Sequence, residues 1–290
     1  MVVSVALSGA PTRQLSAGRY NGRMILNSAA YHFVAIDDPQ TLVDTLRERA
    51  ESAGLRGTVL VAGEGVNLFL AGEPDAVRGF YAALREDARF ADLYVKYSES
   101  RHQPFGRLKL RVKPEIISFR HPEATPLAAG ERAPAVDPAT LARWLDAGHD
   151  DAGKPVVMLD TRNAQEVAYG SFAGALTLPI DKFTDLPAAL APHRQALRDA
   201  TVVSFCTGGI RCEKAALWMR QDGMDNVLQL DGGILGYFEQ VGGTHYEGEC
   251  FVFDQRVALG HGLSERQVLR GDGADHTDAT EIDMSEQADD

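Results

Sequence analysis

An apolar run, Thr201 to Phe205, passes through Cys206 and the glycine pair Gly208-Gly209 into a helix-forming stretch, Arg211 to Gln221. A chain that turns from strand to helix within so few residues is committed there to an α/β layer. The cysteine falls at the carboxyl end of the strand, where open α/β sheets gather their ligands. Glycines at such a junction let successive backbone N–H groups converge on one point, and the helix N-terminus adds its positive dipole end. A thiol so placed is drawn toward thiolate, because helix N-termini and a neighbouring guanidinium lower a cysteine pKa from about 8.5 into a range of roughly 3.5–7.5. Cys206 is therefore the candidate nucleophile. Thr207, Gly208, Gly209 and Ile210 form the candidate anion loop, and Arg211 is its candidate anion clamp. Free cysteine ending a core strand is otherwise a small apolar filler; the paired glycines and the arginine argue against that reading.

The rest of the chain divides around this junction. From Tyr31 to Ile36 the pattern is that of a strand, and Asp38-Pro39 supplies an N-cap and a first-turn proline. Leu42, Val43, Leu46 and Ala50 then share one helical face, which Gly54 closes. Strands over Gly57–Ala62 and Val66–Leu70 are joined through Gly63-Glu64-Gly65, as in a hairpin. A helix from Pro74 presents Ala76, Val77, Phe80, Tyr81 and Leu84, and a strand follows near Leu108 to Val112. The order β-α-β-β-α-β predicts a ferredoxin-like α+β domain over residues 28–120. Residues 121–135 have linker composition. Asp137-Pro138 opens a helix that Gly148 ends, and short apolar runs at Val156–Asp160, Ala175–Leu178, Thr201–Phe205 and Val227–Leu230 read as buried parallel strands. Residues 136–243 are thus expected to form an α/β domain with a parallel sheet, followed by a C-terminal segment, 244–265.

Charge sharpens the division. The net charge is −12, but residues 271–290 hold eight acidic residues and no lysine or arginine, so this tail alone carries −8. Residues 266–290 are accordingly expected to be disordered, and residues 1–27 to be a flexible extension, with Met24 a second candidate start. No apolar run approaches the roughly 18 residues that span a bilayer, and Met1 to Ala10 lacks the pattern of a signal peptide. The expected compartment is the cytoplasm, consistent with three cysteines, Cys206, Cys212 and Cys250, that form no disulfide framework or metal-ligand spacing. Cys212 is expected to pack against the sheet, or to resolve an oxidised Cys206. Between Val95 and Arg120 seven basic residues face two acidic ones, a net +5. Lys109, Arg111 and Lys113 alternate and so share one face of a strand. With Arg101 and Arg107 they are candidate phosphate contacts, and Tyr97, His102 and Phe105 lie near enough in sequence to stack a base. The same run would otherwise be an ordinary solvated strand face.

The loop from Cys206 to Arg211, one residue shorter than the cradle that grips a phosphate ester, resembles the active-site loop of rhodanese domains. Leu159-Asp160-Thr161-Arg162 with Glu166, the crossover Gly174-Ala175 to Pro179, and Leu230-Asp231-Gly232-Gly233 extend that resemblance. It implies that Asp160 and Arg162 brace the domain as supporting residues. Three further segments narrow it: Gly63-Glu64-Gly65-Val66-Asn67, Lys113-Pro114-Glu115-Ile116, and Gly248-Glu249-Cys250-Phe251-Val252-Phe253-Asp254. Together these resemble the rhodanese-like, oxygen-dependent tRNA uridine hydroxylase family over residues 28–262. The resemblance implies an acylphosphatase-like first domain, tRNA as partner, and conversion of the wobble uridine to 5-hydroxyuridine by dioxygen with an external reductant. Some relatives continue into cysteine-rich sequence; this chain runs from His261 into its acidic tail without a further cysteine.

Uracil C5 is not electrophilic, and a thiolate adding to C6 would place enolate character on it. Cys206 is the expected donor of that thiolate, with the loop N–H groups and Arg211 stabilising the developing charge. A sulfurtransferase carrying a persulfide on Cys206 would use the same loop, and a non-catalytic RNA adaptor would need neither the thiol nor the glycines. The sequence carries no nucleotide-binding G-x-G-x-x-G after a strand, so no flavin, nicotinamide or metal signature identifies the electron source.

Overall fold

A computed structural model of the chain describes residues 24–265. The acidic tail and nearly all of the N-terminal extension therefore lie outside the described residues. The first domain runs β1 (Ile25–Phe33), α1 (Pro39–Ser52), β2 (Arg56–Ala62), β3 (Gly65–Gly72), α2 (Pro74–Arg85), β4 (Val95–Ser100) and β5 (Leu108–Val112). The caps behave as their chemistry requires: Asp38 accepts the Thr41 N–H at 3.0 Å, with Pro39 in the first turn.

Two expectations need correction here. The first strand begins at Ile25 rather than Tyr31, because Asn27 and Ser28 are buried polar residues that find partners inside the sheet. Asn27 donates to Ser100 Oγ at 3.0 Å and Ser28 donates to the Leu70 carbonyl at 2.9 Å. The fourth strand of the ferredoxin-like pattern is β4, and the run at Leu108–Val112 is a fifth strand. The sheet order is β4-β1-β3-β2-β5, with β5 parallel to β2 and the other pairs antiparallel.

Helices α1 and α2 cover one face of this sheet around Val59, Val61, Leu68 and Leu70, all fully buried. The pairing register then fixes what the other face presents. Lys96 lies opposite Ala29, Tyr31 opposite Asn67, and Thr58 and Leu60 opposite Lys109 and Arg111. Those residues, with Phe69, share the face that the helices leave uncovered.

The second domain runs α3 (Pro126–Ala129), β6 (Ala135–Val136), α4 (Pro138–Ala147), β7 (Val156–Asp160), α5 (Ala164–Val167), β8 (Gly170–Phe172), β9 (Leu176–Thr177), α6 (Leu186–Leu190), β10 (Thr201–Phe205), α7 (Ile210–Gln221), β11 (Val227–Leu230) and α8 (Gly233–Val241). Its sheet, β6-β11-β10-β7-β9, is parallel at every pairing, as fully buried apolar strands require. The stretch expected as a linker is packed: Ala124 and Ala133 are buried and Arg132 reaches α7. After α8, β12 (Tyr246–Gly248) pairs with β8, and β13 (Cys250–Phe251) pairs with β14 (Ala258–Leu259). This segment then returns to the first domain, where Arg256 Nη1 donates to Ser98 Oγ at 2.7 Å. Among the described residues no helix is long and apolar enough to cross a membrane.

Candidate active site

Cys206 follows the last residue of the central strand β10 and is fully buried, at the base of the turn into α7. Gly209 caps that helix with φ +104°, a conformation that L side chains rarely adopt, and its N–H donates to Cys206 Sγ at 3.1 Å. Cys212, one turn into α7, brings its sulfur within 3.8 Å of Cys206 Sγ and its S–H within reach of the Gly209 carbonyl at 3.0 Å. Cys212 is fully buried beside the sheet, where its carbonyl meets Ser204 Oγ of β10, and the first helical turn also aims its sulfur back at the nucleophile. Burial by itself would push the Cys206 thiol up. The Cys212 thiol, the Arg211 guanidinium and the Gly209 N–H outweigh it and lower Cys206 to about 5. Burial and the Cys206 charge push Cys212 the other way, well above an ordinary thiol, so Cys206 is the thiolate of the pair. Burial also pushes Cys250, whose thiol bonds the Thr207 side chain of the loop, up to about 12.

Arg211 does not stand as an open clamp. Its guanidinium is forked onto the buried carboxylate of Glu166, which also accepts from Thr207 Oγ1 at 3.2 Å. A buried guanidinium needs such a counter-charge, and Glu166 supplies it from α5. The clamp expected of Arg211 is therefore corrected to a neutral ion pair that orders the loop while still drawing Cys206 toward thiolate. Ile210 turns its side chain into an apolar contact with Ala62 and Ile116 of the first domain. Gly208 lines the open side of the loop, with nothing within 4 Å of where a Cβ would stand.

Asp160 and Arg162 lie beneath the loop and are fully buried. Arg162 donates to both carboxylate oxygens of Asp160, at 2.9 and 2.6 Å, and to the Gly170 carbonyl at 2.7 Å. Thr161 between them bonds the Phe205 carbonyl through its N–H and its hydroxyl, so this brace holds the end of the strand that carries Cys206. On the other side, the Gly232-Gly233 turn closes on the loop. A Cβ on Gly233 would meet the Cys206 carbonyl oxygen at 2.5 Å and the Gly209 nitrogen at 2.7 Å.

The uncovered face of the first sheet forms the opposite wall. Between the two walls lies a cavity of about 990 Å³, counting the solvent space of its open mouth. Cys206, Thr207, Gly208 and Arg211 line it from one side, Tyr31, Asn67, Phe69 and Lys96 from the other, and Phe253 and Arg256 of the C-terminal segment close an end. Lys109, Arg111 and Lys113 lie on the same sheet face at the edge strand, half-buried, whereas Arg101 and Arg107 are exposed before it.

Long-range contacts that local sequence does not announce hold the walls together. Lys214, fully buried on α7, donates to Glu64 at 2.8 Å and to Glu115 at 2.6 Å. Glu64 also accepts from the Ile116 N–H, and the Asn67 amide donates to the Ile116 carbonyl. Three short segments with no evident local purpose thus converge on one domain junction. Tyr31 donates to Glu213 at 3.0 Å, and Arg132 forks onto the same carboxylate. Sequence reading missed Tyr31, Glu213 and Arg132. It counted Lys96 only as one charge in a basic stretch.

Two family models match the chain: an acylphosphatase-like domain of the UPF0176 type over residues 25–116, and a rhodanese-like domain over residues 138–240. A protein of Xanthomonas euvesicatoria pv. vesicatoria named tRNA uridine(34) hydroxylase is 70% identical over 236 residues, covering 81% of this chain and 94% of its own. One of Xanthomonas campestris pv. campestris with the same name is 66% identical over 259 residues, 89% of this chain and all of its own. One of Xylella fastidiosa, likewise named, is 65% identical over 236 residues, 81% and 91% of the two chains.

Proposed function

The chain belongs to the family of tRNA uridine(34) hydroxylases, and we propose that Cys206 is the group through which it performs that chemistry. The protein is a tRNA-modifying enzyme that hydroxylates the wobble uridine. In the reading advanced here, the Cys206 thiolate adds to C6 of the uracil, and the bonding pair of the 5,6 double bond shifts to give an enolate over C5 and O4. Dioxygen then supplies one atom to C5, and its other atom leaves as water. That balance requires two electrons and two protons, the electrons from an external reductant. Loss of the C5 proton and departure of the thiolate restore the double bond and yield 5-hydroxyuridine.

The observation that carries this reading is the placement of a buried thiolate, drawn down by Arg211, Cys212 and the Gly209 N–H, on the wall of a cavity between the two domains that is open at its mouth. A uridine in an anticodon loop is already unpaired, so extruding it into such a cavity costs little. The basic edge strand, Lys109, Arg111 and Lys113, continues the same sheet face outward and is suited to the phosphates of the loop, with Arg101 and Arg107 at its approach. Acting on tRNA, the enzyme would work in the cytoplasm.

The test is mass spectrometry of tRNA nucleosides from a strain lacking the gene, complemented with the wild-type chain or with Cys206→Ser. The expected result is 5-hydroxyuridine restored by the first and absent with the second. A Cys206→Ser protein that hydroxylates tRNA at the normal rate would sink the assignment.

A further inference from the structure

Lys96 is the one lysine that lines the cavity, and its surroundings are unusual for an ammonium. It projects from β4 opposite Ala29, on the uncovered sheet face, and only 5% of the residue is exposed. Buried cations are normally paired. The others around this site obey that rule: Arg211 with Glu166, Arg162 with Asp160, Arg256 with Asp254, and Lys214 with Glu64 and Glu115. Lys96 makes no hydrogen bond or ion pair among the described residues. Its Nζ lies 5.6 Å from the ring centre of Tyr31 and 5.0 Å from that of Tyr94, so aromatic faces stand where a carboxylate would be expected.

The location of the free end matters as much as its lack of a partner. Lys96 Cε lies 3.6 Å from where a Cβ on Gly232 would stand, against the turn that closes on the Cys206 loop. Tyr31, which it faces, touches the other side of that loop: a Cβ on Gly209 would sit 3.0 Å from the Tyr31 hydroxyl. The charged and titratable groups around the ammonium are Tyr31, Tyr94, Cys206, Cys212, Asp231 and Glu239. Burial lowers the Lys96 pKa, and the negative charge of Cys206 is the largest of the effects opposing that. An unpaired cation, desolvated in a cavity and set across from a thiolate, is a donor waiting for an acceptor that the protein itself does not supply.

We propose that Lys96 is a catalytic residue contributed by the first domain, its ammonium donating to O4 of the uracil and stabilising the enolate that forms when Cys206 adds to C6. The proposal rests on the addition reading above and deepens it. In the ground state O4 is a neutral carbonyl; as the C6–S bond forms, the electron pair moves onto C5 and O4, and a fixed donor at O4 is worth most at that moment. The loop N–H groups and the Glu166–Arg211 pair act on the sulfur side. Lys96 acts on the oxygen side, where the second domain offers no cation free of a counter-charge among the residues lining the cavity. The assignment also accounts for the two-domain construction, since neither domain alone would hold both the nucleophile and the enolate donor.

The addition step can be read without the oxidation. Under anaerobic conditions, reversible addition of the thiolate to C6 makes C5 exchangeable, so in D2O the wobble uridine should take up deuterium at C5. Wild-type protein is expected to catalyse this exchange and Cys206→Ser is not. Lys96→Met, which keeps length and apolar volume, is expected to slow exchange at saturating tRNA by about 100-fold, the loss typical of removing one oxyanion donor, with little change in the tRNA concentration needed for half-saturation. Lys96→Ala should recover part of the rate with added ethylammonium, a rescue that a purely structural lysine would not show. Exchange by Lys96→Met at the wild-type rate, with Cys206→Ser inactive, would overturn the role of Lys96 and leave the addition reading standing. Weaker tRNA binding with an unchanged rate at saturation would also overturn it, making Lys96 a docking cation. Absence of exchange in the wild-type protein would overturn the addition reading, and the role of Lys96 with it.

Discussion

The loop wall of the cavity, Cys206 to Arg211, works through its backbone, whereas the sheet wall opposite works through side chains carried on three strands, β1, β3 and β4. On the loop side the thiolate is held by an N–H, a neighbouring thiol and an ion pair, and the glycines exist to let main chain approach main chain. On the sheet side Tyr31, Asn67, Phe69 and Lys96 can each be exchanged without moving the backbone that carries them. The first wall should therefore fail abruptly when a single carbon is added, and the second should lose function by degrees.

The sharpest test of that contrast compares glycines on the loop wall. Gly233→Ala would set a Cβ 2.5 Å from the Cys206 carbonyl and 2.9 Å from that of Thr207, at φ +63°. Gly209→Ala would strain a backbone at φ +104° and press on the Tyr31 hydroxyl. Each strained position costs about 1–3 kcal/mol of stability, and the shift it forces falls on the sulfur. Activity measured as 5-hydroxyuridine formed should fall to background for both. Gly208→Ala, which meets nothing within 4 Å, should leave thermal stability within about 0.5 kcal/mol of wild type. Equal losses of stability in all three would break the claim that the loop is built from close backbone approach.

The same contrast explains what was legible in the sequence. The loop wall is local: a strand, a cysteine, two glycines and a helix within one short run are enough to place a thiolate, and Asp38-Pro39 and Asp137-Pro138 begin their helices for equally local reasons. The two-domain fold class, ferredoxin-like and then α/β with a parallel sheet, follows from such periodic elements, and the likeness of the second domain to rhodanese rests on the resemblance of its motifs. The sheet wall is not local. In β4, Val95 and Lys96 are both buried while the rest of Val95–Ser100 is polar or half-exposed, so no apolar alternation marks the strand. Its inward lysine makes sense only against a cavity formed with residues more than a hundred positions away. Tyr31 and Glu213 likewise meet across 182 residues. That Arg211 would be neutralised followed from no spacing, because Glu166 reaches it from another element.

A second test uses pH and asks whether the loop wall sets the charge on sulfur. With Cys206 lowered to about 5, the thiolate is fully formed above that value and is protonated as pH falls through it. The single-turnover rate with excess enzyme should be flat on this limb near neutrality and fall by up to tenfold per unit below about pH 5. The linkage has the same sign: a thiol depressed in the folded state stabilises the fold above the unfolded thiol value of about 8.5, and that contribution disappears as pH falls through about 5. Cys212→Ala removes one of the groups that lower Cys206 and should move the limb to higher pH. An acid limb that stays in place in Cys212→Ala would show that the helix turn and Arg211 suffice without the second thiol.

The smallest expected effect belongs to the far edge of the sheet wall. Lys109 and Arg111 sit on β5, on the cavity's side of the sheet but at its margin, where phosphate contacts would position the anticodon loop without touching the base. Each phosphate neutralised contributes about 0.7–0.9 to the slope of log affinity against log salt, so Lys109→Gln with Arg111→Gln should flatten that slope by roughly 1–2. Binding at moderate salt should weaken only severalfold, and the rate at saturating tRNA should stay near wild type, because neither side chain approaches the sulfur. This distinguishes the edge from the centre of the same face: Lys96 should act on the rate and the β5 pair on affinity. A double variant with an unchanged salt slope would mean that the tRNA backbone runs elsewhere, and that the basic register of β5 serves the folded sheet rather than the substrate.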